Sequence, residues 1–472
     1  MHPLDDTAAT LDPLTMVHAA AGPYLDALDD LPALDPSALP LLDELDGPLP
    51  ASGAGATAAI ERLVRIGTAA ATQSSGPHFY HFVIGGSTPA AMAADWLVSL
   101  LDQNAVVRAA SDFATRVEDI VLRWLVELFE LPPAWGGALT ASATFANLTG
   151  LGCASHWWAE QHGVDSSAQG LTGLPRMPVL SSGYVHASAR KALQMLGHGK
   201  DTVEVFARDA AGQVDLDAME ARLAELGQPS VIIANAGEVN AGGFDPIEAL
   251  ADLAERYGAW LHVDGAFGAF AALSPRSAHL VAGMDRAHSI AADAHKWLNV
   301  PYESGFALIR EPERLGRAFG MPGAPYFPDA SGPQGGYMFF GPESSRRARA
   351  LPIWATLSAY GRDGYRAVIE RHLDLAQQLA TLVDEAPDME RLAEVPLCIV
   401  CFRYRPEGVA SGDLDDLNRR LGAALLADGR VYTGTTVYEG KVALRPAMTN
   451  WRITAGDVSD LVAVVREVGQ SL

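Results

Sequence analysis

Cysteine is scarce in this chain, with three residues among 472. That is too few for a disulfide framework and fits a reducing cytoplasm. Basic residues are outnumbered as well, 34 Lys and Arg against 57 Asp and Glu, for a formal charge of −23. Such a charge repels nucleic acid and anionic membrane surfaces, so neither is expected as a partner. No run approaches the roughly 18 apolar residues that a membrane span needs. The opening Met1-His2-Pro3-Leu4-Asp5-Asp6 lacks the basic-then-apolar order of a secretory signal, and a cytoplasmic location is expected. Cys398-Ile399-Val400-Cys401 has redox spacing, but strand alternation sends the two thiols to opposite faces, so they read as core.

What remains is an ordinary globular balance, 49% hydrophobic and 19% charged. At 472 residues the chain exceeds one core, so two or more lobes are expected. Residues 1–50 are rich in Ala, Leu, Pro and Asp and show no long capped helix. A free arm and an oligomer-wrapping segment both fit. Thr57 to Thr72 reads as a helix. Gly76 to Pro89 is an aromatic loop bounded by Gly and Pro, and its His78 and His81 suit packing or substrate contact better than metal ligation. Val117, Ile120, Val121, Trp124, Leu125 and Leu128 mark an amphipathic helix that ends before Pro132-Pro133.

From Val179 onward, strands and helices alternate. Strands read at 179–182, 203–207, 231–234 and 260–263, with helices at 186–196, 216–226 and 246–257 between them. This rhythm implies parallel strands with crossover helices, an α/β architecture whose ligands bind at the carboxyl ends of the strands. Residues 322–342 break the pattern, with Gly or Pro at ten of 21 positions, as in a lid loop. The strand Leu397 to Tyr404, the helix Leu414 to Leu426, the strand Val442 to Arg445 and a helix from Asp457 make a smaller α+β lobe beginning near 350. The expected division is an arm at 1–90, a large domain at 91–350 and a small domain at 351–472.

Chemistry concentrates on that rim. In Asp293-Ala294-His295-Lys296-Trp297 an apolar neighbour suits a lysine that is partly dehydrated and nucleophilic. A surface lysine at a turn is the plain alternative. His262-Val263-Asp264-Gly265-Ala266 is a strand end, and an acid there with Lys296 at the next junction can grip two ends of one cofactor. Ser142-Ala143-Thr144 leads into a helix, whose free N–H groups and positive dipole end favour an anion, although simple N-capping also fits.

Taken jointly, Ser142-Ala143-Thr144, His186-Ala187-Ser188 with Lys191 and Leu196-Gly197, His262-Val263-Asp264-Gly265-Ala266, His295-Lys296-Trp297 and Ser345-Arg346-Arg347 resemble the group II pyridoxal-phosphate-dependent amino-acid decarboxylases. That family holds the aromatic-amino-acid, tyrosine, histidine and glutamate decarboxylases, and the likeness covers roughly residues 75–455. It implies a fold-type-I enzyme with a mostly parallel central sheet, working as a homodimer with its active site at the subunit interface. By the same resemblance Lys296 links to the cofactor aldehyde, Asp264 pairs with the pyridine nitrogen and His186 stacks on the ring opposite Ala266. Ser142, Ala143, Thr144 and His295 hold the phosphate. Phe82, Val83, Glu238, Asn240 and Arg445 contact substrate, Arg445 through the α-carboxylate. Tyr337, nine residues before Arg346, falls where the family carries the tyrosine that protonates Cα; Val106 and the 322–342 loop reach the other subunit's pocket.

The chain departs from the family pattern at His78-Phe79, at Glu238-Val239-Asn240 and at Asp293. Glu238 favours a cationic or hydroxylated substrate side chain, whereas Phe79, Tyr80 and Phe82 favour an aromatic one, and the sequence leaves both open. It also leaves open another reaction of the same cofactor: transamination, decarboxylation-coupled oxidation to an aldehyde, or Cα–Cβ lyase or aldol chemistry. A non-catalytic binding protein that retains the fold is the remaining alternative.

Overall fold

Seven strands form the central sheet: β1 (Gly136–Thr140), β2 (Val179–Ser181), β3 (Val203–Val205), β4 (Val231–Asn235), β5 (Trp260–Asp264), β6 (Ser289–Asp293) and β7 (Gly305–Ile309), in the order β1-β7-β6-β5-β4-β2-β3. They are seen in a computed structural model that describes residues 10–321 and 336–472. Every residue of β4, β5, β6 and β7 is buried, as expected where helices cover both faces of a sheet. Strands β3, β2, β4, β5 and β6 run parallel, as the alternation predicts. Strand β7 is antiparallel to both β6 and β1. Its link from β6, residues 294–304, is shorter than the dozen or more residues of a parallel crossover, so the chain turns straight back.

Helices α1 (Leu11–Ala27), α2 (Ala56–Ala70), α3 (Pro89–Leu101) and α4 (Asp112–Leu128) precede the sheet. Helices α5 (Ala143–Gln161), α6 (Ser166–Gln169), α7 (Ala187–Met195), α8 (Leu216–Leu226), α9 (Ile247–Tyr257), α10 (Ala294–Trp297) and α11 (Glu313–Phe319) connect its strands or follow them. The 17-residue α1 corrects the reading of residues 1–50. It has no side-chain cap, no basic residue in its last turn and a proline inside, so the usual boundary signals are missing.

The 36-residue α12 (Ala350–Glu385) leads to the second sheet, bending at Gly361, whose φ of 63° lies in the left-handed region. That sheet is antiparallel, in the order β10-β11-β9-β8, built from β8 (Met389–Arg391), β9 (Phe402–Tyr404), β10 (Thr435–Tyr438) and β11 (Lys441–Leu444). Helices α13 (Leu414–Asp428) and α14 (Ala455–Gln470) cover it. The strand expected over Leu397–Tyr404 shortens to β9. Upstream of it the facing segment contains Pro446, which has no N–H to give a ladder, and only an isolated bridge from Ile399 to Ala447 forms there. Cys398 and Cys401 are both buried, in different apolar clusters, as strand alternation requires.

Candidate active site

Lys296 lies on the single turn of α10, directly after the carboxyl end of β6, and Asp264 is the last residue of the neighbouring β5. His186 caps α7 after β2, and Ser142 stands at the position before α5, after β1. Four separate connections thus deliver Lys296, Asp264, His186 and Ser142 to one rim of the sheet, where an open α/β sheet leaves a crevice.

Asp264 is held by its neighbours rather than left to solvent. It is buried, with Oδ2 accepting from Asn147 Nδ2 at 2.9 Å and Oδ1 accepting from the Ala266 N–H at 3.3 Å. Asn147 Oδ1 is therefore the acceptor toward His262, whose Nε2 donates across 2.8 Å. Burial pushes the His262 imidazole down to about 4, so the ring is neutral and its Nδ1 accepts from Ser289 Oγ at 2.8 Å. Glycine at 150 is required here, because a Cβ would come within 2.8 Å of the His262 ring. Sequence reasoning gave Asn147 no role. What marks it is a fully buried amide in the first turns of α5, three residues past Thr144.

His186 Nδ1 pairs with Ser188 Oγ at 2.7 Å, and Ser188 Oγ accepts from Asn147 Nδ2 at 3.1 Å, so His186 belongs to the same network as Asp264. Burial lowers its pKa, opposed by the Asp264 charge and assisted by Lys296 and Arg445, and the ring stays neutral. Lys296 Nζ lies 3.5 Å from Asp293 Oδ2 and 5.6 Å from the centre of the Phe267 ring. His295 Nε2 lies 3.5 Å from Asp293 Oδ1, and its Nδ1 accepts from the Ser304 N–H at 3.3 Å. Burial lowers the His295 pKa, and Tyr302 packs against its ring at 4.3 Å. Phe267, Asp293 and Tyr302 are thus further site residues, of which the sequence singled out only Asp293, as a departure.

At the start of α5 the hydroxyls of Ser142 and Thr144 make no hydrogen bond among the described residues, and Ser142 does not cap its own helix. The Ala143 N–H donates to Asp293 Oδ1. The helix start thus carries two unbonded hydroxyls with a carboxylate at its edge. Opposite, the aromatic loop runs against the lysine turn: the Gly85 N–H donates to His295 O at 3.3 Å, and a Cβ on Gly85 would fall 1.6 Å from Lys296 O. Phe82 and Val83 both take left-handed φ, 58° and 59°, a strained pair for residues with a side chain.

The remaining predicted residues divide. Arg445 is buried, donates to Val239 O at 2.8 Å, and lies close enough to His81, His186 and Glu238 for its charge to shift all three. Glu238 spends its carboxylate on the N–H groups of Asn240, at 2.9 Å, and Ala241. It also lines a cavity of about 850 Å³ with Tyr184, Asp245 and Tyr438, which Lys296 and His186 do not line. Asn240 Oδ1 accepts from Thr436 Oγ1 at 2.5 Å. Tyr337 stands apart from the lysine turn of its own chain: its hydroxyl donates to Asp119 Oδ1 at 2.6 Å and the Arg346 guanidinium sits 5.1 Å above its ring. Of the 322–342 loop, residues 322–335 lie outside the described residues.

The family model for the pyridoxal-dependent decarboxylase conserved domain matches residues 57–405. The chain belongs to this family. An L-2,4-diaminobutyrate decarboxylase of Rhizobium meliloti (strain 1021) is 32% identical over 443 residues, covering 92% of this chain and 86% of that protein. An aromatic-L-amino-acid decarboxylase of Bacillus atrophaeus is 29% identical, covering 85% and 83%. The crystal structure of Oryza sativa TDC with PLP and tryptamine superposes with a TM-score of 0.89 over 100% of this chain and 99% of that one, at 24% identity, a match in fold. The chain is thus a fold-type-I, pyridoxal-phosphate-dependent amino-acid decarboxylase by family, and an enzyme.

The pyridoxal-dependent decarboxylase site fits its cofactor. It offers an amine at Lys296, a buried and supported carboxylate at Asp264 and unpaired hydroxyls at the helix start of Ser142 and Thr144. Among the described residues no helix is long and apolar enough to cross a membrane.

Proposed function

We propose that this decarboxylase converts an L-amino acid to the corresponding amine, with Lys296 as the residue that holds the cofactor and exchanges it for substrate. The observation that carries this reading is the pairing of Lys296 and Asp264 at the ends of neighbouring strands, with the neutral His186 tied into the same network. Pyridoxal phosphate, when bound, supplies the electron sink that takes up the pair left as carbon dioxide departs. Asp264 would hold a proton at the pyridine nitrogen; Asn147 and the Ala266 N–H orient its carboxylate. His186 would cover one ring face and Ala266 the other, while Ser142, Ala143, Thr144 and His295 hold the phosphate.

Arg445 would bind the substrate carboxylate, with Phe82, Val83, Glu238 and Asn240 around the rest of the substrate. Tyr337 would deliver the proton to Cα. Burial, then the nearby Glu118 and Asp119 carboxylates, raise its phenol well above the ordinary value, so it keeps its proton until one is demanded. Tyr337 would serve the partner subunit of a homodimer, together with Val106, whose carbonyl accepts from the Met338 N–H at 3.1 Å. Exposed Leu11 and Leu14 on α1, and Trp96 and Leu100 on α3, supply apolar surface for that association. In the proposed division into an arm at 1–90, a large domain at 91–350 and a small domain at 351–472, the cofactor residues would belong to the large domain, Phe82 and Val83 to the arm and Arg445 to the small domain.

Carbon dioxide, amine and oxygen uptake measured together on each L-amino acid test the reading. Equal carbon dioxide and amine from a preferred substrate, with no oxygen consumed, is expected. Formation of a keto acid, or oxygen uptake matching the carbon dioxide, would overturn it in favour of transamination or oxidation. The second outcome has a precedent by name in a phenylacetaldehyde synthase of Arabidopsis thaliana, 27% identical over 80% of this chain.

A further inference from the structure

We propose that His81 reads the substrate side chain by donating its Nε2–H to an oxygen acceptor on it, so that the substrates are L-amino acids with a side-chain hydroxyl, phenol, carboxylate or carboxamide. This deepens the decarboxylase reading and rests on it.

His81 Nδ1 accepts from the Gly434 N–H at 3.1 Å. A neutral imidazole that accepts at Nδ1 carries its proton on Nε2. The ring is neutral, because burial and then the Arg445 guanidinium push its pKa down to about 4. The Nε2–H has no hydrogen-bond partner among the described residues, and the half-buried ring is fixed on three sides. Phe82 packs on it at 3.8 Å between ring centres, Tyr432 lies at 5.7 Å, and a Cβ at position 434 would come within 2.0 Å of the imidazole. Glycine at 434 therefore makes room for this ring and aims it. An oriented donor left unpaired is a recognition element in want of an acceptor.

Its place ties it to the reaction centre. The loop that carries His81 continues through Phe82 and Val83 to Gly85, which sits on the carbonyls of the lysine turn. Arg445 lies near enough to His81 and to His186 for its charge to lower both pKa values, and Lys296 does the same to His186. The same guanidinium disfavours a side-chain ammonium. Arg445 puts a positive charge there, and the nearby acid Glu238 is spent on the amides of Asn240 and Ala241. Similarity to a diaminobutyrate decarboxylase does not carry that substrate across.

The test compares pairs of L-amino acids that differ by one side-chain oxygen, tyrosine with phenylalanine and homoserine with 2-aminobutyrate, alongside 2,4-diaminobutyrate. Each is read twice on the holoenzyme: as kcat/KM for carbon dioxide release, and as a dissociation constant from the cofactor absorbance. The wild type is expected to favour the oxygen-bearing member of at least one pair by about tenfold or more. His81→Phe keeps the ring contact and removes the donor, so the preference should collapse to about twofold. His81→Gln should restore part of it. Gly434→Ala, which displaces the ring without touching its chemistry, should reproduce the collapse even if His81→Phe folds poorly. An unchanged preference in His81→Phe and Gly434→Ala, or a wild-type preference for 2,4-diaminobutyrate, would overturn the proposal. A wrong reaction assignment would show as keto acid or oxygen uptake in place of amine, and would leave the binding ratios to decide the role of His81.

Discussion

Lys296 and Tyr337 are proposed site residues of two kinds. The first is held by its own chain, 3.5 Å from Asp293 on a rim that also carries Asp264. Lys296→Ala is expected to bring turnover to background and to remove the cofactor's visible absorption, checked by spectrum and carbon dioxide release; normal turnover would remove Lys296 from the scheme. The second is bound to Asp119 and Arg346, away from that lysine. Tyr337→Phe keeps the ring and removes the proton, so product is expected to shift from amine toward aldehyde and peroxide. An unchanged amine yield with no oxygen uptake would take Tyr337 out of the chemistry. The lysine, the acid and the hydroxyl pair were legible because each sits in a local stretch whose chemistry depends on its neighbours. Asn147 and Phe267 were not. Their roles come from contacts across the fold, Asn147 reaching Asp264 over 117 positions of chain.

At the scale of elements, one ion pair ties the aromatic loop to the last helix. His78 Nε2 lies 3.4 Å from Asp457 Oδ1, and its Nδ1 bonds Leu31 O at 2.7 Å, behind α1. The Asp457 hydrogen bond raises the His78 pKa above its ordinary value, against the opposing effect of burial. A raised folded-state pKa contributes stability that is fully present below the unfolded value, near 6.5, and is lost as pH rises through the folded value. Limited proteolysis of residues 10–75 should therefore speed up on going from about pH 6 to pH 8.5, and His78→Gln should cleave at the faster rate throughout. A wild-type rate that does not change with pH would exclude this tether. Sequence signals for elements were strongest where boundaries are chemical. Thr88 caps α3 and Ser111 caps α4 as their residue types predict, whereas α1, lacking a cap, was missed. The buried Glu118 on α4 was invisible on its helix alone, because its partner Arg346 is 228 positions away, bonding it at 2.8 and 2.9 Å.

For the whole molecule, the apolar side chains left on α1 and α3 are the strongest sign of association. Leu100 is 69% exposed and Trp96 45% exposed, side by side one helical turn apart. A charge there should oppose burial against a second copy. If the proposed homodimer forms through this face, Leu100→Glu combined with Trp96→Glu is expected to give a monomer, followed by light scattering, and to reduce amine formation because the proposed Tyr337 contribution to the partner is lost. A double variant that remains dimeric would move the interface elsewhere.

The alternating βα rhythm, the acid at the end of β5 and the lysine after β6 were determined by the sequence itself. Hydrophobic periodicity and local neighbours are properties of adjacent residues, and they are written there in full. Tertiary structure alone decided that β7 runs antiparallel, that Asp264 is held through Asn147 and His262, and that the His81 Nε2–H has no partner among the described residues while the Glu238 carboxylate accepts from two backbone amides. Each of these is a pairing between residues distant in the chain, set by which surfaces meet once the sheet closes. No local pattern records it.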